Sequence, residues 1–115
     1  MDDRLQQALE FANFRHSLAI EKKRLKEKLK VDLTIAHNGG IFYINRNFIG
    51  VLNSLNEFET ETAVLLDDRE VPILIEDFAQ FRKTVLEKYF QVINQYYLDY
   101  EAIKRKRTVK DLVSL

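Results

Sequence analysis

Few residues in this chain have the chemistry of a reactive or ligating site. His16 and His37 are its only histidines, and there is no cysteine, which removes disulfides, thiolate metal sites and cysteine nucleophiles together. His37 precedes a turn, and nothing in the sequence pairs with it. His16 falls on the apolar side of a helical repeat, where a packed or boundary histidine is expected rather than a ligand. Glu57, Glu59 and Glu61 alternate, so an extended segment would put them on one face, where Asp67, Asp68 and Glu70 could join them around a divalent cation. The favoured expectation for the same residues is a solvated acidic edge that discourages strand-to-strand pairing. The sequence has no P-loop, no dinucleotide glycine fingerprint, no His-Glu-x-x-His and no EF-hand loop. Gly39-Gly40 follows Asn38 as a turn would, not as a phosphate loop. No enzyme, catalytic residue, metal or cofactor is expected.

The charged residues are more informative than the titratable ones. The formal net charge is zero, yet residues 21–30 carry six Lys/Arg against two Glu. Residues 57–77 carry eight acids against Arg69, and residues 101–111 carry five bases against two acids. Segregation of this kind points to pairing within or between chains. Lys22, Lys23, Arg24 and Lys26, with Lys104, Arg105, Lys106 and Arg107, would form a phosphate-binding surface if assembly gathered them. A Lys-rich helix C-terminus also has an ordinary electrostatic explanation, so nucleic acid is the alternative partner rather than the favoured one.

Five elements must position these groups. From Asp2 to about Lys30 there is no Gly or Pro; Leu5, Leu9 and Ala12 on one side, and Phe11, Phe14, Leu18, Leu25 and Leu29 on another, keep a period near 3.6. The spacing predicts a helix over 2–30 with Asp2 or Asp3 as N-cap. Over 31–45 Val31, Leu33 and Ile35 alternate with Asp32, Thr34 and Ala36, and Asn38-Gly39 then interrupts before Ile41-Phe42-Tyr43-Ile44, which predicts a type I′ β-hairpin. Residues 47–58 predict a short helix capped by Asn47. Residues 61–76 predict a second hairpin around Asp67-Asp68-Arg69-Glu70, with Pro72 at a strand start or edge. Asp77 caps a helix over 77–107, and 108–115 is expected to be a loosely docked tail. The expected whole is a single α+β domain, two long helices flanking two hairpins joined by a short helix (α-ββ-α-ββ-α). A length of 115 residues, 46% of them hydrophobic and 31% charged, suits one globular domain. No transmembrane run or signal peptide is evident, so a cytoplasmic protein with no membrane partner is expected.

Both long helices, about 28–30 residues or roughly 40–45 Å each, exceed what a compact domain of this length requires. On the last, Phe78, Phe81, Val85, Tyr89, Val92, Tyr96 and Ile103 form one stripe, and Leu86, Phe90, Ile93, Tyr97 and Tyr100 a second beside it. Two adjacent stripes predict a coiled-coil-like homo-oligomer interface through Tyr89, Val92, Ile93, Tyr96, Tyr97 and Tyr100.

Three resemblances follow from particular residues. Leu9-Glu10-Phe11-Ala12-Asn13-Phe14-Arg15, Asn38-Gly39-Gly40-Ile41-Phe42, Val64-Leu65-Leu66-Asp67-Asp68 with Pro72-Ile73, and Tyr100-Glu101 before a basic tail resemble small proteins of tailed phages of marine cyanobacteria. That resemblance spans most of the chain and implies a phage context, with other phage or host proteins as partners in the host cytoplasm, and no activity. The order helix, hairpin, short helix, hairpin, helix is similar to the α-type subunit of prefoldin, a chaperone that oligomerises through its hairpins and holds clients with paired coils. Gly50-Val51-Leu52, Phe58 and Ala63-Val64-Leu65 loosely resemble the first motif of Sm-like barrels, which would require 47–58 to be strand. The expected function is that of a non-enzymatic, self-associating accessory or scaffold protein. A nucleic-acid-binding oligomer and a prefoldin-like holdase are the alternatives.

Overall fold

The computed structural model describes residues 3–114, with side chains described for 3–106. The order is α1 (Asp3–Asp32), β1 (Thr34–His37), β2 (Gly40–Tyr43), α2 (Arg46–Glu57), β3 (Ala63–Leu66), β4 (Pro72–Ile75) and α3 (Phe78–Ser114). The fold is α+β, in the predicted order α-ββ-α-ββ-α. Each hairpin is its own two-stranded antiparallel sheet, β1 with β2 and β3 with β4.

Local chemistry explains most boundaries. Asn38 (φ 49°) and Gly39 (φ 81°) take the two positive-φ places of the first hairpin turn. The cap of α2 is Asn45, not the predicted Asn47: the Asn45 side-chain Oδ1 accepts from the Phe48 N–H at 2.8 Å. The two asparagines are two residues apart, and the one whose backbone is extended does the capping. Asp77 caps α3 as expected, with its carboxylate accepting from the Gln80 N–H at 3.1 Å. Pro72 opens β4, the strand position that needs no ladder donor. The helix α3 runs on through Ser114, so 108–114 continue it instead of forming a separate tail. Asp2, the other proposed cap of the first helix, lies outside the described residues. Because 46–57 is helical, the Sm-like reading fails.

By its internal contacts the chain divides into two compact units. The unit Leu29–Asn94 holds both hairpins, α2 and the adjoining turns of α1 and α3. Its core is Leu33, Phe42, Ile44, Leu52, Leu65, Ile73, Ile75, Phe78, Phe81 and Val85. Rings of Phe42, Phe48 and Phe81 pack within it at centroid distances of 5.5–6.3 Å. The second unit, Met1–Lys28 with Gln95–Leu115, is helical over its described residues and has a smaller core of Leu18, Leu25 and Ile103, with Phe14 and Tyr96 packed on it. Along α1 this core lies between Phe14 and Leu25, while Leu5, Leu9 and Phe11 nearer the N-terminus are exposed.

Candidate interaction surfaces

The outer edge of β2 is tied to the turn of the second hairpin by two aspartates. His37 and Gly40 flank the two-residue turn and form a hydrogen-bonded pair, so alternation turns the Ile41 and Tyr43 backbone groups to the outer edge of β2. That edge is occupied. The Ile41 N–H donates to Asp67 Oδ2 at 3.1 Å, the Tyr43 N–H to Asp68 Oδ1 at 3.1 Å, and the Asp68 N–H to the Ile41 carbonyl at 2.8 Å. The other oxygen of Asp67 accepts from the N–H groups of Arg69 and Val71, both at 2.9 Å. Asp67 is buried at 5% exposure. The Val71 N–H, assisted by those of Ile41 and Arg69 and by the Arg69 guanidinium, holds its carboxyl below the usual carboxylate range against the opposing effect of burial. Two of the acids proposed as a cation cluster are therefore engaged with backbone amides. Among the described residues, no group of three or more His, Asp or Glu side chains converges on a metal position.

The second hairpin presents an apolar outer face. Pro72 has no N–H, so Leu66–Pro72 cannot be a hydrogen-bonded pair, and alternation makes Val64–Leu74 a second non-bonded pair. Leu65, Ile73 and Ile75 point into the core, while Val64, Leu66 and Leu74 are 62%, 63% and 51% exposed beside Pro72. A hairpin with one wet face normally carries polar residues there. Here all four outward positions are apolar. The Leu74 carbonyl, on the outer edge of β4, accepts from the Asn38 side chain at 2.9 Å. The edge of β3 that carries Val64 and Leu66 has no backbone partner among the described residues.

A third surface runs along β1. The Thr34 and Ala36 backbone groups face its outer edge, opposite the side paired with β2. A groove of 610 Å³ follows this edge, with residues 34–38 on one wall and Glu76, Gln80, Thr84 and Lys88 of the α3 approach on the other. His37 does not stand alone in it: its ring lies 4.8 Å from that of Phe81, which also lines the groove.

The predicted oligomer residues divide between the units. Tyr89, Val92 and Ile93 are half-buried against the core of the hairpin unit. In the helical unit Tyr96 packs on its small core, and Tyr97 and Tyr100 are 60% and 39% exposed. Leu5, Leu9 and Leu98 are also more than half exposed there. His16, expected to be a packed or boundary residue, is exposed.

The basic clusters meet in the helical unit but are interleaved with acids. Lys106 Nζ lies 3.6 Å from Glu21 Oε1, and Lys22 Nζ sits 6.0 Å from the centre of the Tyr100 ring. Arg24, Lys28 and Lys106 line a shallow cleft together with Glu21 and Asp99. Lys23, Arg24, Lys26, Lys104 and Arg105 are exposed; the Arg107 side chain lies outside those described.

No family model, curated protein or solved structure matches this chain. No described helix is long and apolar enough to cross a membrane.

Proposed function

We propose that this is a non-enzymatic, self-associating accessory or scaffold protein whose contact surface is the outer face of the β3–β4 hairpin. The observation that carries the reading is that face: Val64, Leu66, Pro72 and Leu74 stand outward with no polar residue between them. Apolar surface of this kind, rimmed here by Glu61, Asp68 and Glu70, marks a protein–protein contact. Exposed Tyr97, Tyr100 and Leu98 on α3 provide further apolar surface for assembly. Sedimentation equilibrium at micromolar concentration tests it. The wild-type chain is expected to associate, and Val64→Lys with Leu74→Lys is expected to weaken association with an unchanged circular dichroism spectrum. A folded wild-type monomer across that range would overturn the reading.

The element order supports a second reading, a prefoldin-like holdase that assembles through its hairpins. Suppression of aggregation of an unfolded client is its test, and a scaffold would not show it. Nucleic-acid binding draws support from the basic side chains gathered in the helical unit, and from nothing else. It predicts affinity that falls steeply with salt. The phage context rests on the sequence resemblance, which implies working partners among phage or host proteins in the host cytoplasm.

A further inference from the structure

We infer that the groove between β1 and α3 takes up an extended peptide segment of another protein, added antiparallel to β1. A strand that ends a sheet offers a row of backbone donors and acceptors, and peptide recognition by strand addition uses that row for affinity and side-chain pockets for choice. Of the four strand edges in the hairpin unit, that of β2 is occupied by Asp67 and Asp68, and that of β4 by Pro72 and the Asn38 amide. The edge of β3 is free but flanked by acids on both sides. The edge of β1 opens into a groove with a second wall.

The groove also has polarity. The Asn38 amide on the Leu74 carbonyl and the His37 ring on Phe81 fix the C-terminal end of β1 beside the start of α3. Glu76 therefore stands at the His37 end, and Lys88, three turns into the helix, at the Thr34 end. The Asp77 carboxylate is engaged in capping, which leaves Glu76 as the acid available. A strand antiparallel to β1 begins at the His37 end, so its N-terminal residue should be basic and its C-terminal residue acidic. Side chains opposite His37 and Ile35 point the same way as these two half-buried residues, towards Phe81, and should be apolar. Those opposite Thr34 and Ala36 face solvent. The four residues of β1 match a bound stretch of about 13 Å.

Two fluorescein-labelled peptides of identical composition test this, with cores Arg-Thr-Val-Thr-Val-Thr-Glu and the reverse, Glu-Thr-Val-Thr-Val-Thr-Arg, in which the end charges share the face of the two valines, towards α3. Fluorescence anisotropy should show the first binding at least about tenfold more tightly, because the reversed core sets each of its charges against a like charge of the groove. Ala36→Pro removes one outward N–H while the pair Ala36–Ile41 contributes nothing to the inner ladder; it should abolish binding with the fold intact by circular dichroism. The double exchange Glu76→Lys with Lys88→Glu should reverse the preference between the two peptides. Equal binding of both peptides, no binding of either at millimolar concentration, or a preference that survives the exchange would each overturn the inference. So would loss of self-association in Ala36→Pro, since a strand of a second copy would then fill the groove. Self-association through the β3–β4 face is read separately by Val64→Lys with Leu74→Lys, so either reading can fail without the other.

Discussion

At the scale of single residues, Asp67 ties the edge of β2 to the turn of the second hairpin. It satisfies backbone donors from β2 and from its own turn, and those donors favour its charged form. A carboxyl whose pKa is lower when folded adds stability above its unfolded pKa of about 3.9, and that stability is lost as pH falls through the folded value. Thermal melts should therefore show the melting temperature falling below about pH 4, and Asp67→Asn should lower it at pH 7 while flattening the acid limb. Gly40 is the second decisive residue. A Cβ there would lie 2.5 Å from Ile73 Cγ1, where β2 packs on β4. Gly40→Ala should cost about 1–3 kcal/mol in urea denaturation, the usual range for overpacking. Neither role was legible beforehand. Asp67 reads in sequence as an ordinary turn aspartate, and its partner Ile41 is 26 positions away.

At the scale of elements, local signals were strong wherever the backbone itself was constrained. Asn38-Gly39 demanded a type I′ turn, Asp77 a helix start and Pro72 a strand start, and each stands where the residue chemistry requires. The short helix was legible from Phe48, Ile49, Leu52 and Leu55, but its cap was not, because two asparagines competed. Asn45→Ala should cost about 0.5–2 kcal/mol by loss of the cap, whereas Asn47→Ala, exposed within α2, should change stability by less than about 0.5 kcal/mol. Gly50 lies on the open side of α2, with nothing within 4 Å of the place a Cβ would take. Gly50→Ala should therefore stabilise by about 0.5–1 kcal/mol. Chemical denaturation of the three variants side by side checks all of these. The outer face of the second hairpin did leave a sequence signal. Ala63-Val64-Leu65-Leu66 and Pro72-Ile73-Leu74-Ile75 are continuously apolar, the pattern of strands covered on both faces.

At the scale of the molecule, the question is where apolar surface remains uncovered. The aromatic stripes of the last helix predicted an assembly surface, yet Tyr89, Val92, Ile93 and Tyr96 are partly spent on the chain's own cores. Surface remains at Tyr97 and Tyr100 and on the β3–β4 face. If the hairpin face dominates assembly, Val64→Lys with Leu74→Lys should lower the weight-average mass in sedimentation more than Tyr97→Lys with Tyr100→Lys does. The opposite ranking would place the main interface on α3.

The sequence by itself determined the helices, the hairpins and their order, since each depends on periodicity and turn chemistry acting over a few residues. Only the tertiary structure decided which strand edges are occupied, which face of the second hairpin is left open, and that His37 lies on Phe81 at the end of a groove. Those outcomes depend on groups that are remote in sequence and meet only when the hairpins pack, and no local pattern specifies such meetings.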